Sequence, residues 1–200
     1  MNSLLDHSRI NDLSFTDKKL WHSYLPVYDK YLTPYRNEIF NILEIGVSFG
    51  GSATLWHDFC ENAHIHAIDV LPEPVLLQNK KRITYYQREG TTTSGGGYDL
   101  NVIDDFINRG IKFKFLFEDG PHSLETMIFV AQHYHRVLEE DGTIFIEDIK
   151  NLDWVKEIQN ALPENMISKV YDLREEKGRF DDIVMAIKFE GQSFINYETY

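Results

Sequence analysis

The chain has 200 residues, of which 42% are hydrophobic and 26% charged, and a formal net charge of −12. That length suits one domain with a core large enough to stand without staples, and the acidic balance excludes a nucleic-acid backbone or an anionic membrane surface as partner, because no basic excess exists to release counterions. A single cysteine, Cys60, rules out an internal disulfide and any cysteine-built metal site; without an apolar signal core or a run near the ~20 residues of a membrane span, the sequence reads as cytoplasmic.

Residues 1–15 are polar with scattered Leu and Ile, a short helix or an arm. Thr16-Asp17-Lys18-Lys19 reads as a helix cap, and Tyr24, Tyr28 and Tyr31 follow at spacings of four and three, on one helical face. That face packs on a sheet or walls a substrate pocket, with His22 and Tyr24 near its rim. Pro34 ends this helical leader, so residues 1–40 form a cap and residues 41–200 the main body of what is a single domain overall. Asn41 to Ile45 is a buried strand that runs through Gly46, Gly50 and Gly51 into a helix starting near Ala53. Ala63 to Val70 is a second strand, stopping at Asp69, and Val75 to Lys80 a short helix after Pro72 and Pro74. Ile83 to Gln87 is a third strand, followed by Arg88-Glu89-Gly90 and a Thr- and Gly-rich loop over Thr91 to Gly97. Leu100 to Asn108 is a helix closed by Gly110, and Lys112 to Phe117 a fourth strand that delivers Glu118-Asp119-Gly120-Pro121-His122. Leu124 to Glu139 reads as one long helix, Thr143 to Ile146 as a fifth strand delivering Glu147-Asp148, and Trp154 to Leu162 as a helix. Ile167 to Leu173 and Ile183 to Phe189 close the chain as an antiparallel hairpin. The alternation implies a Rossmann-like α/β fold: a doubly wound, mostly parallel seven-stranded sheet with an antiparallel C-terminal hairpin.

In such a sheet ligands bind beyond the carboxyl ends of the strands. There this chain sets Gly46, Asp69, Glu89, Asp119 and the pair Glu147-Asp148, a regularity that scattered solvated charge does not produce. A strand running through glycines into a helix N-terminus suits a nucleotide-like cofactor, and Asp69, 25 residues after Glu44, stands where a ribose-binding acid belongs. The spacing G-x-x-x-G-G departs from the G-x-G-x-x-G of dinucleotide binding and favours S-adenosylmethionine, which has no pyrophosphate. Asp119, Glu147 and Asp148 form a hard-oxygen set of the kind Mg²⁺ or another divalent cation takes; without a cation, carboxylates that close raise one another's pKa. The plainer readings are helix capping for Glu147-Asp148 and a simple turn for Asp119-Gly120. His122 can reach the same space and serve as general base. His64, His66, His133 and His135 read as structural or solvated.

With LEIGVSFGGS and Trp56 after it, AIDV, the DGPH turn, IEDI, and Asp17-Lys18, His22 and Tyr24 in the leader, the chain resembles the class I S-adenosylmethionine-dependent methyltransferases. More narrowly it is similar to the metal-dependent sugar O-methyltransferases of macrolide and aminocoumarin pathways and to the cephalosporin-hydroxylase-like proteins. The resemblance covers about Asp17 to Phe189. It implies a methyl-donor site at Glu44, Gly46, Gly50, Ser52 and Asp69, with Gln87 and Glu89 near the adenosine. It also implies Mg²⁺ on Asp119, Glu147 and Asp148, with Asp119 and His122 as the catalytic pair. The activity implied is O-methylation of a sugar or glycosylated small molecule, with a metal-dependent hydroxylase of the same fold or a non-catalytic cofactor-binding module as the alternatives; a homo-oligomer stays open. The chain departs from the pattern at Glu118-Asp119, where relatives carry Asp-Asp, and at Arg88-Glu89-Gly90, where they carry Gly-Asp.

Overall fold

The structure is a computed structural model that describes residues 3–6, 16–91 and 94–196. Most of the arm expected over residues 1–15, and Thr92 and Thr93 of the flexible-looking loop, lie outside the described residues.

The apolar runs become β1 (Asn41–Ile45), β2 (His64–Asp69), β3 (Ile83–Gln87), β4 (Phe113–Glu118) and β5 (Leu138–Ile146), which pair in parallel. β6 (Met166–Asp172) and β7 (Ile183–Phe189) pair antiparallel, and β7 also runs antiparallel to β5. The seven strands lie in the order β3–β2–β1–β4–β5–β7–β6, a mostly parallel sheet with the antiparallel C-terminal hairpin that the sequence implies. The order reverses between β1 and β4, so the crevice that receives ligands in such sheets opens above Ile45 and Glu118. β4 is buried along its whole length, because helices cover both faces of the sheet.

Those helices are α1 (Asp17–Leu20), α2 (Leu25–Leu32), α3 (Gly51–Phe59), α4 (Leu100–Asn108), α5 (Leu124–His133) and α6 (Leu152–Asn160), with a last helical turn, α7 (Arg174–Lys177). α2 and α3 share one core with Phe115, Phe117 and Phe145, while α4, α5 and α6 share the other with Phe113, Leu116 and Ile144. Tyr28 sits edge-on to Trp56, Phe117 and Phe145 at centroid distances of 5.8, 5.2 and 5.0 Å, so the tyrosine face of the leader is core and not a pocket wall.

Two expected elements differ. Residues 75–79 form turns, not a helix, with Asn79 at φ 67°. The long helix stops at His133, continues as a 3-10 turn over Tyr134–Val137, and gives way to β5 at Leu138. Asp141 and Gly142 fall inside that strand, where Phe113 faces Leu138 but Phe115 faces Thr143: an irregularity absorbs the punctuation that otherwise marks a helix end. Glu147 and Asp148 do not cap α6, since Asn151 accepts its first N–H groups from Asp153 and Trp154, both at 3.0 Å.

Candidate active site

The turn after β1 depends on Gly46. Its φ is +87°, and a Cβ there would lie 2.0 Å from the backbone oxygen of Asp119, so only glycine lets the turns after β1 and β4 pass each other. Asp69, at the end of β2, fixes the rest of that turn: its Oδ2 accepts the N–H groups of Val47 at 2.7 Å and Ser48 at 2.9 Å, and its Oδ1 that of Leu71 at 3.0 Å. Beside them opens a cavity with walls from Ile45, Gly46, Ser48, Ile68, Asp69, Val70, Leu71, Gly97, Tyr98 and Asp119. A Cβ on Gly97 would sit 2.6 Å from the Ile45 side chain, so a bare backbone keeps the apolar slot open.

Two acids stand behind this cavity. Glu44 accepts from the Ser52 hydroxyl, and Glu118 Oε1 accepts from the Tyr98 hydroxyl at 2.6 Å. Both are fully buried with hydroxyl partners, and burial pushes each carboxyl up to about 8.

The other half of the site is built from α1, the segment before α2, and the ends of β4 and β5. The Lys18 ammonium, wholly buried, donates to Asp119 Oδ2 at 2.7 Å and Glu147 Oε2 at 2.6 Å. Burial opposes its charge, but Asp119, Glu147 and Glu44 outweigh it and hold Lys18 well above the usual lysine value. Burial pushes Glu147 well up and also raises Asp119, in each case against the pull of Lys18. Asp148 Oδ1 accepts the Tyr24 hydroxyl at 2.5 Å and lies 3.2 Å from His22 Nδ1, while its Oδ2 lies 3.1 Å from His122 Nδ1. His22 is braced in turn by Asp182, 3.5 Å away, whose Oδ1 also accepts the Ser23 N–H at 3.0 Å. Burial works against a charged His22, and the Asp182 and Asp148 carboxylates prevail and raise its pKa. Among the described residues four non-glycines have positive φ, and three of them, Ser48, His122 and Asp148, stand here. Strain of that kind persists where surrounding structure over-determines a geometry.

Single ligand atoms of Asp119, His122 and Asp148 lie within 4.8 Å of one another. Glu147, expected beside them as a metal ligand, is 1% exposed and shares the Lys18 ammonium with Asp119. A groove runs along the outer side between Thr16, Asp17, Leu20 and Trp21 of the leader and Val47, Ser48, Phe49, Ser52 and Asp119. Asp119 lines this groove and the cavity alike.

The expected donor residues divide. Gly46 and Asp69 line the cavity and Ser52 the groove. Glu44 serves as the anchor of Ser52 beneath them, and Gly50, at φ +84°, heads α3 against Leu77. Gln87 and Glu89 are exposed and outside the walls, with Glu89 acting through its carbonyl, which accepts the Gly96 N–H at 3.0 Å. The sequence reading assigned no role to Lys18 or to the Tyr98–Glu118 pair. A lysine in a four-residue helix looks solvated, and only the Asp17-Lys18 dipeptide hinted otherwise.

A sequence model of the methyltransferase domain family matches residues 43–149, more than half of the chain. The chain belongs to that family. As a methyltransferase domain it is 27% identical over 159 residues to mycinamicin VI 2''-O-methyltransferase of Micromonospora griseorubida, covering 74% of this chain and 37% of the relative. It is also 27% identical over 143 residues to demethylmacrocin O-methyltransferase of Streptomyces fradiae, covering 66% and 33%. Among solved structures, the MycE methyltransferase of the mycinamycin biosynthetic pathway, in complex with Mg and SAH, superposes with a TM-score of 0.70 at 19% identity, covering 96% of this chain and 56% of that one. The same enzyme with mycinamycin VI also bound gives 0.70 at 20% identity, covering 96% and 55%. At that identity the likeness is one of fold. The methyltransferase domain thus spans about a third of the length of those curated relatives and just over half of the solved chains. Among its described residues no helix is long and apolar enough to cross a membrane.

Proposed function

We propose that this domain transfers the methyl group of S-adenosylmethionine to a hydroxyl of a sugar or glycosylated small molecule, assisted by Mg²⁺ or another divalent cation. The observation that carries the reading is the position of Asp119, which borders both the apolar cavity beneath the glycine turn and the groove beside the acid cluster. The relatives named for O-methylation and the solved complexes with Mg and SAH support the same reading.

The residues present fit both groups. Gly97 keeps open a slot that a Cβ would crowd against Ile45, and Ile68, Val70 and Leu71 give it an apolar face. Asp69 has three N–H groups on its carboxylate, which leaves acceptor capacity for a ribose hydroxyl. Asp119 and Asp148 would hold the cation, since Mg²⁺ is usually bound through one or two carboxylates plus water and substrate. Once bound, the two groups would supply an electrophilic methyl and a charge that lowers a hydroxyl's pKa.

The chain's own groups do the rest. His122 is partly exposed, and its Nδ1 faces Asp148 at 3.1 Å. The neighbouring carboxylate favours a proton on Nδ1 and leaves Nε2 to take the proton of the acceptor hydroxyl. Tyr24 and His22 hold Asp148 from behind, so the carboxylate that orients His122 is itself fixed. The leader acts as a cap: Leu20 and Trp21 face Phe49 across the groove, all three more than half exposed, and offer an apolar surface to an acceptor. Because donor and acceptor are both positioned, orientation supplies much of the acceleration. His22 does not complete a two-histidine iron site, because it is buried between Asp148 and Asp182, so the hydroxylase alternative gains no support.

The test is transfer of labelled methyl from S-adenosylmethionine to a panel of sugars, glycosides and nucleotide sugars, with and without EDTA. Turnover that survives EDTA removes the metal from the reading; absence of donor binding by calorimetry removes the reading itself.

A further inference from the structure

One wall of the apolar cavity is built from a segment with few side chains. After β3 the chain pairs antiparallel over Gly90–Thr91 and Ser94–Gly95, then turns through Gly95 and Gly96 at φ +81° and +60°. Gly96, Gly97 and Tyr98 then line the cavity. Glycine backbone has more conformational freedom to lose than any other, so a fixed wall here needs ties from outside the segment. Two tyrosine hydroxyls tie it. That of Tyr134, fully buried, donates to the Gly97 carbonyl, and that of Tyr98 donates to Glu118 Oε1 at 2.6 Å. We propose that Tyr98 and Glu118 are positioning residues for the methyl donor: their hydrogen bond clamps residues 95–98 to the end of β4 and so sets the width of the donor cavity.

Geometry carries this. Glu118 is 0% exposed and lies outside the walls of both the cavity and the groove, so it can act on a bound molecule only through Tyr98. Tyr98 is its one side-chain hydrogen-bond partner among the described residues, and a buried carboxyl is costly to leave without one. The glycine of the Asp119-Gly120-Pro121 turn makes room for the contact: a Cβ on Gly120 would lie 1.9 Å from the Tyr98 hydroxyl and 3.0 Å from the ring carbon that carries it. The clamped segment has little slack. A Cβ on Gly96 would meet Val70 at 3.0 Å and one on Gly97 would meet Ile45 at 2.6 Å, so a shift of this wall moves straight into the apolar lining of the slot.

The inference rests on the methyl-donor reading above, and calorimetry with S-adenosylhomocysteine, which needs neither metal nor acceptor, separates the two. If the unaltered chain does not bind this probe, the methyl-donor reading fails and the proposal falls with it. If it binds, Tyr98→Phe, which keeps the ring and removes one oxygen, should weaken binding about fivefold or more, the worth of one net hydrogen bond. Glu118→Asp, one methylene too short to reach the hydroxyl, should do the same. Glu118→Gln keeps an acceptor oxygen at the same reach and should bind within about twofold of the parent. Gly120→Ala should weaken binding in the unaltered chain and clearly less when added to Tyr98→Phe, because the atom its Cβ strikes is gone. A merely structural bond would lower the melting temperature and leave the affinity of the folded chain unchanged. That outcome for Tyr98→Phe overturns the proposal, as does a Glu118→Gln variant that binds as weakly as Tyr98→Phe, or full additivity of Gly120→Ala with Tyr98→Phe. Tyr98→Phe alone decides the question if the Glu118 and Gly120 variants do not fold.

Discussion

Two pairs of acids stand at the same edge of one sheet and live under opposite regimes. Glu44 and Glu118 are fully buried and meet hydroxyls, those of Ser52 and Tyr98, and burial lifts both to about 8. Asp119 and Glu147 are buried or nearly so, one and two strands away, yet they share an ammonium. The difference lies in the partner. A hydroxyl can satisfy a protonated carboxyl but does little to offset a buried charge, whereas an ammonium stabilises the ionised form. The first pair therefore pins the cavity floor as near-neutral groups; burial raises Asp119 and Glu147 too, but there an ammonium in direct contact pulls against it, beside the groove where a cation and a reacting hydroxyl are expected to bind. Position at a strand end marks a site; the partner decides whether the acid is structural or chemical.

Breaking the charged half should have the largest effect. Asp119→Ala removes a carboxylate common to the cavity and the groove, and cation-dependent methyl transfer should fall by about 10³-fold or more, as when a key electrostatic group is lost; retention of that transfer in a labelled-methyl assay breaks the comparison. His122→Ala should lower kcat by about 10²–10⁴-fold with little change in donor affinity, which calorimetry with S-adenosylhomocysteine would read. A near-normal rate would move proton transfer to another group.

The near-neutral half should answer to pH rather than to metal. Glu44 has a folded-state value of about 8, above that of an unfolded glutamate at about 4.3. The folded chain therefore holds a proton that the unfolded chain releases. The stability this contributes is fully present below the unfolded value and is lost as pH rises through 8, with a slope of about 1.4 kcal/mol per unit at its steepest. Glu44→Gln mimics the protonated form and can keep the Ser52 contact, so it should melt close to the parent at pH 4 and clearly above it at pH 8. Equal melting at both pH values would show Glu44 to be charged in the fold, and the contrast with Asp119 would collapse.

How much of this the sequence carried depends on where each signal lay. The strands were legible because buried parallel strands read as apolar runs, and β1 with its glycines, β2 ending at Asp69 and β4 ending at Glu118-Asp119 all stand where those runs place them. The end of α5 was not, because His133 to Leu138 changes from helix to strand without glycine or proline, and the Asp141-Gly142 signal was absorbed inside β5. Asp119, His122 and Asp148 come together as strand-end reasoning suggests. The inward turn of Glu147 was hidden, since nothing local says which of two adjacent acids meets a lysine 129 residues earlier. Lys18 itself was hidden for the same reason: long-range pairing leaves no local pattern. Glu44 and Glu118 could have been read by a stricter rule, that an acid embedded in an apolar strand is buried before it is catalytic.

The smallest effect belongs to the leader, and it separates the two halves from the acceptor. Trp21 is 63% exposed, lines the groove, and has the Arg179 guanidinium 5.9 Å from its ring centre. It touches neither the near-neutral acids nor the Lys18 pair, so its truncation leaves both regimes intact. Covering about 60 Å² of its ring by an acceptor at about 25 cal/mol per Å² contributes about 1.5 kcal/mol, or about tenfold in affinity. Trp21→Ala should therefore raise the acceptor KM by about that factor, with kcat within about twofold and cation affinity unchanged, the mark of a lost interaction equal in ground and transition states. A fall in kcat at constant KM would instead couple the leader to the charged half through α1, and the helix carrying Lys18 would then belong to the chemistry as much as to the cap.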